Sequence, residues 1–117
     1  MAFLGEHGGS DWVVTGTSTA NTAVNVTKAA PATGKRHVVT SVSVCGRAAA
    51  VAAAGALITI KSGTNLKWTA AISAAAPNYT FPFPKGLLMN VDEAVNLDVA
   101  AAGTTVVVEA SIEGLTA

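Results

Sequence analysis

The side chains able to do chemistry in this chain are few: His7, His37, Cys45 and the carboxylates Glu6, Asp11, Asp92, Glu93, Asp98, Glu109 and Glu113. A thiol becomes a nucleophile only beside a base, and Cys45 with His37 is the pairing this inventory suggests. Eight residues apart on one extended strand, they stand about 26 Å from each other at roughly 3.3 Å per residue, far beyond proton-transfer reach. Cys45 therefore reads as a small core or interface residue. Asp92 and Glu93 could turn oxygens toward a cation, but no EF-hand-like spacing surrounds them, and they read as a solvated turn before Val95. Glu6 and His7 lack the Cys or His spacing that supports zinc. The sequence has no P-loop, no Gly-x-Gly-x-x-Gly opening a helix and no Gly-x-Ser-x-Gly elbow. The expectation is a protein that is not an enzyme and holds neither cofactor nor metal.

Composition narrows the partners. Seven Lys and Arg balance seven Asp and Glu in 117 residues, and only 12% of the chain is charged, against about 25% in ordinary soluble domains. A balanced, sparse charge gives no electrostatic footprint for nucleic acid, and Lys35-Arg36-His37 is an isolated basic cluster without interleaved aromatics. The run 48–60 is interrupted by Gly55 and Thr59 and is too small-sided to anchor a helix in lipid. The start lacks a basic n-region and turns polar after three apolar residues, so no secretory signal is expected. A single cysteine fits synthesis in a reducing cytoplasm. Neither a membrane nor a nucleic acid is an expected partner.

The elements behind these residues are strands. Period-two alternation runs through 36–46, with Val38, Thr40, Val42 and Val44 on one side and His37, Val39, Ser41, Ser43 and Cys45 on the other. Val106, Val108, Ala110 and Ile112 repeat the pattern against Val107, Glu109, Ser111 and Glu113. Val24/Val26, Ile58/Ile60, Leu66/Trp68/Ala70/Ile72, Tyr79/Phe81/Phe83, Leu87/Met89/Val91 and Val95/Leu97/Val99 bring the candidates to eight. Turn residues separate them at 31–34, 61–65, 76–78 and 101–103, too briefly for crossover helices. The fold class is all-β, an antiparallel sandwich or barrel in one domain. Pro82 and Pro84 confine their strand to an edge or a strand end. The tract 48–54 has high helix propensity but is too short to repay helix nucleation, and reads as a long loop between strands.

Residues 1–20 differ from the rest, with glycines and a Thr-rich run flanking Trp12, Val13 and Val14. Two readings stand side by side. In one, 1–20 is an extended N-terminal arm, anchored by Trp12 on a neighbouring subunit, and 21–117 is the β-domain. In the other, the same residues are a first strand in the same sheet. Half the chain is apolar, but it is mostly Ala and Val, with the alanines clustered between strands, where a free monomer would place charge. Trp12, Val13, Val14, Ala49, Val51 and Ala53 are accordingly the expected interface residues. Trp68 shares a face with Leu66, Ala70 and Ile72 and reads as core, whereas Trp12 and Tyr79 are candidate stacking surfaces for carbohydrate.

The order of segments carries a resemblance. His37-Val-Val-Thr-Ser-Val-Ser-Val-Cys-Gly46, an Ala-rich gap, Leu57-Ile-Thr-Ile-Lys-Ser-Gly63, Leu66-Lys-Trp68, Phe81-Pro-Phe-Pro-Lys-Gly-Leu87, Ala94-Val-Asn-Leu-Asp-Val99 and a final Val-rich strand ending at Gly114 are similar to the jelly-roll capsid decoration (cement) proteins of tailed bacteriophages. The likeness is one of strand order and turn placement over residues 36–114. It implies a jelly roll that forms a homotrimer on the outer surface of an icosahedral head and clamps the major capsid protein. The protein would then be made in the host cytoplasm and reside in the virion, with no catalytic residue to carry over. The sparse charge and the alanine tract depart from the pattern and bear on which loops touch the capsid. The alternative is a tail or fibre β-sandwich that binds a receptor or carbohydrate.

Overall fold

The computed structural model describes residues 10–19, 22–48, 56–72, 78–100 and 106–117. Eight strands follow in chain order: β1 (Ser10–Thr17), β2 (Val24–Lys28), β3 (His37–Ala48), β4 (Ala56–Ser62), β5 (Asn65–Ile72), β6 (Asn78–Leu88), β7 (Val95–Val99) and β8 (Val106–Thr116). Among the described residues there is no helix. The pairing is nested: β1 with β8, β2 with β7, β3 with β6 and β4 with β5, as in a single ribbon folded back on itself at the β4–β5 turn. The ribbon then rolls so that β3 also pairs with β8 and β4 with β7, always antiparallel. Two four-stranded sheets result, sheet A in the order β1-β8-β3-β6 and sheet B in the order β2-β7-β4-β5. This is the wrapping of an eight-stranded jelly roll.

Alternation builds the core. Val42 and Val44 from β3 and Val108, Ala110 and Ile112 from β8 face Ile58 and Ile60 from β4 and Val95, Leu97 and Val99 from β7, all buried. Apart from Ala110 and Leu97 these are β-branched side chains, which stand stiffly off a pleated surface and interdigitate well. Each fully buried Val, Ile or Leu contributes about 1.5–3 kcal/mol of transfer free energy. One side of the sandwich is closed by Trp68 of β5, set edge-on to Phe81 and Phe83 of β6 at centroid distances of 4.9 and 5.3 Å. The opposite side is closed where β1 packs on β2.

Two bulges redirect the alternation. The β3 register shifts between Val39 and Ser41 against both neighbours, so Val39 and Val42 both point inward while Val38 lies on the outer face, half-buried. The β4–β5 register shifts between Ile60 and Lys61, which leaves Trp68 facing in and Leu66 facing out, 57% exposed. The single-face groupings of Val38 with Val42 and of Leu66 with Trp68 are corrected accordingly, since one extra residue in a strand swaps every side chain beyond it. The strand inventory is corrected too. Tyr79–Phe83 and Leu87–Leu88 belong to one strand, β6, and the eighth strand is β1.

Residues 12–14 thus occupy the in-sheet strand, running antiparallel to β8 from Ser10↔Thr116 to Thr17↔Glu109. Residues 1–9 and 20 lie outside the described residues. β6 is the far edge of sheet A, where Pro82 and Pro84 cost no ladder hydrogen bond on the free side.

Candidate interaction surfaces

His37 and Cys45 lie on the same strand but on opposite faces of it. The His37 ring is buried. Its Nε2 lies 2.7 Å from the Ala29 carbonyl, which can only accept, so Nε2–H donates; in the neutral ring Nδ1 accepts from the Thr116 hydroxyl at 2.8 Å. Trp12 meets the ring edge-on at 5.3 Å. His37 therefore ties the segment after β2 to the end of β8. Cys45 is a free thiol on the outer face of sheet A, half-buried.

Asp92, Glu93 and Asp98 are partnered within the fold. Glu93 Oε1 accepts from Ser62 Oγ and from Asn90 Nδ2, both at 2.8 Å. Ser62 Oγ in turn accepts from the Asn90 N–H, and Asn90 Oδ1 accepts from Lys67 Nζ. Hydrogen bonds from Ser62 and then Asn90 hold the Glu93 carboxyl below the usual glutamate range, with Lys67 adding a smaller attraction. Asp92 takes a positive φ of 65°, held by its N–H to Lys35 O and by Gly34 N–H donating to its carboxylate. Asp98 accepts from Asn25 across the β2–β7 pair. No group of three or more His, Cys, Asp or Glu is placed to hold a metal among the described residues.

This network occupies one end of the sandwich, with Lys35, Arg36, Lys67, Asp92 and Glu93, where Arg36 also exchanges two backbone hydrogen bonds with Ala117. The register places the other strand ends together at the opposite end: Thr17 beside Glu109, Ala48 beside Val106, Val24 beside Val99 and Ala56 beside Ile72. The connections that leave from there include 20–21, 49–55, 73–77 and 101–105, and their sequences hold no charged residue. The expected interface residues Ala49, Val51 and Ala53 lie in this set, outside the described residues.

Trp12, Val13 and Val14 are divided by the pleat. Val13 is 61% exposed on the outer face of sheet A, whereas Trp12 and Val14 are half-buried against the core. The Trp12 indole crosses Gly114, where a Cβ would lie 2.6 Å from Cζ2, and the Lys28 ammonium sits 5.7 Å from the ring centroid. Its Nε1 is buried without a hydrogen-bond partner. Tyr79 stacks on Phe81 at 5.5 Å and packs against the core. Both carbohydrate-stacking candidates thus spend their rings largely on interior contacts.

The outer face of sheet A is organised in rows across its four strands. Thr15, Ser111, Ser43 and Thr80 form one row and Thr17, Glu109, Cys45 and Asn78 the next. Together they floor a shallow depression of about 580 Å³. Toward the charged end the rows turn apolar, first Val13, Glu113, Ser41 and Pro82, then Asp11, Leu115, Val38 and Leu88. Sequence reasoning missed this apolar half because Val38 reaches it through the β3 bulge and Leu88 through an excursion of β6. Four residues, 83–86, fill the gap between Pro82 opposite Ser41 and Leu87 opposite Val39, and Lys85 is exposed within it.

No protein-family model matches the chain, and no curated protein matches it. Among solved structures the chain is similar to the crystal structure of dimeric latent PorU from Porphyromonas gingivalis, at 12% identity and a TM-score of 0.46 over 92% of this chain. It spans 13% of that chain's length.

Proposed function

We propose that this protein is a structural virion component, a capsid decoration protein that forms a homotrimer on the outer surface of a tailed-phage head and stabilises the lattice of the major capsid protein. The observation that carries this reading is the polarity of the jelly roll. One end is fixed by hydrogen-bonded, charged turns, and at the other the connecting sequences 20–21, 49–55, 73–77 and 101–105 hold no charged residue. Free monomers ordinarily keep charge on their loops to remain apart, so an uncharged loop end supports coverage by other protein. The His37 imidazole and the carboxylates of Asp92, Glu93 and Asp98 are spent on hydrogen bonds that hold the fold, which favours a scaffold over a reactive site.

The purified protein is expected to have the mass of a trimer in solution and to bind expanded heads that lack it, raising the temperature at which they rupture. A monomer indifferent to such heads refutes the reading. Specific binding to a glycan array without binding to heads points instead to a receptor-binding module.

A further inference from the structure

The two edges of sheet A carry different chemistry. At the β1 edge, Val13 is 61% exposed and is the register partner of Glu113, itself exposed, with Asp11 one row away. At the β6 edge, Leu88 is 52% exposed, Pro82 and Pro84 are exposed, and Lys85 lies exposed between them and Leu88. The β1 side thus presents acid, Glu113 and Asp11, beside exposed apolar surface, its one nearby cation among the described residues, Lys28, resting over the Trp12 ring, whereas the β6 edge presents the base Lys85. Like edges brought together would set acid on acid or base on base, whereas unlike edges match in both charge and apolarity.

From this complementarity we propose that the β1 edge of one copy docks against the β6 edge of the next, with Val13 and Glu113 of one chain meeting Leu88, Pro82 and Lys85 of its neighbour. The partner is a second copy of this chain, and the inference rests on the homotrimer proposed above. A contact between unlike patches is heterologous, and such contacts generate a closed ring when the rotation per subunit divides a full turn. The β6 edge also fixes the kind of contact. Pro82 and Pro84 bring no N–H, so β1 cannot extend the neighbour's sheet as a regular ladder, and the joint is made by side chains. That restricts growth, because an open hydrogen-bonding edge accepts any strand while a side-chain joint accepts one partner in one pose.

The test is the mass of the full-length protein in solution, by light scattering on a size-exclusion column. Lys85→Glu sets acid against acid and is expected to abolish the trimer at concentrations where the wild type is fully assembled. Lys85→Glu combined with Glu113→Lys in the same chain reverses both partners and is expected to recover it. Both positions are exposed, so each variant should melt cooperatively on its own, and far-ultraviolet circular dichroism checks this. A Lys85→Glu trimer of unchanged stability, or a double variant no better than the single one, overturns the contact. So does a wild-type dimer. If Lys85→Glu dissociates a trimer that ignores phage heads, the edge contact stands and the decoration role falls. If the unaffected Lys85→Glu trimer still binds heads, the reverse holds.

Discussion

Gly114 shows how far a single position is determined by its neighbours. It lies in the middle of sheet A, between Trp12 of β1 and Val39 of β3. A Cβ there would run into the Val38 carbonyl and come within 2.6 Å of the Trp12 indole. Backbone cannot yield as a flexible side-chain end can, so Gly114→Ala is expected to destabilise the fold by about 1–3 kcal/mol through overpacking. Urea unfolding should show this as a lower midpoint at unchanged slope. Gly86 is determined twice over, by a φ of 77° and by Val38 Cγ1 at 2.5 Å from its would-be Cβ. The glycine letters were legible in the sequence, but the reasons for these two were not. Each answers to a residue on another strand.

At the scale of elements, the turns at the charged end act as one clasp. Ser62 closes β4, while Asn90 and Glu93 lie between β6 and β7, so one carboxylate joins three strand ends. Because the folded-state pKa of Glu93 is depressed, its ionised form adds stability above the unfolded-state value, and that contribution is lost as pH falls through the folded value. The difference in unfolding midpoint between wild type and Glu93→Gln should therefore hold steady near neutral pH and vanish in acid, below the usual glutamate range. A constant difference across that range would show that the carboxylate charge has no part in the clasp. None of this was readable beforehand, since Ser62 and Glu93 meet only once the ribbon has rolled, and Asp92-Glu93 by itself looked like a solvated turn. The strands were far more legible. Val and Ile alternate in β3, β4, β7 and β8 because burial on one face demands it, and the prolines of β6 announced an edge. The bulges in β3 and between β4 and β5 were hidden, as an extra residue is a property of pairing, with no residue type of its own. β1 was ambiguous because Gly16 and its Thr neighbours interrupt the apolar rhythm that Trp12 and Val14 begin.

For the whole molecule, β1 belongs to the closed sandwich, so the segment before Ser10 and the segment after it should respond differently to truncation. Removing residues 2–9 is expected to leave a cooperative thermal transition, because β1 and its pairing with β8 remain. Removing residues 2–17 strips β8 of a neighbour and uncovers Val24 and Val26 on β2, both now buried. The expected result is loss of the sharp transition, measured by circular dichroism melting. A sharp transition retained by both truncations would show that β1 contributes nothing to stability.

The nested pairing also sets a clock. The inner strand of sheet A that joins β1 to β3 is β8, the last of the eight to be made. At a synthesis rate of about 5–20 residues per second, the roughly 100 residues that separate β1 from β8 take about 5–20 seconds to add. Through that interval β1 has no partner and β3 lacks one of its two. Until then the open sides of β1 and β3 can accept a strand from another chain. β6 is marked by prolines and β2 is only five residues long, whereas the two strands that wait, β1 and β3, have neither safeguard, so their pairing sides stay open until β8 arrives.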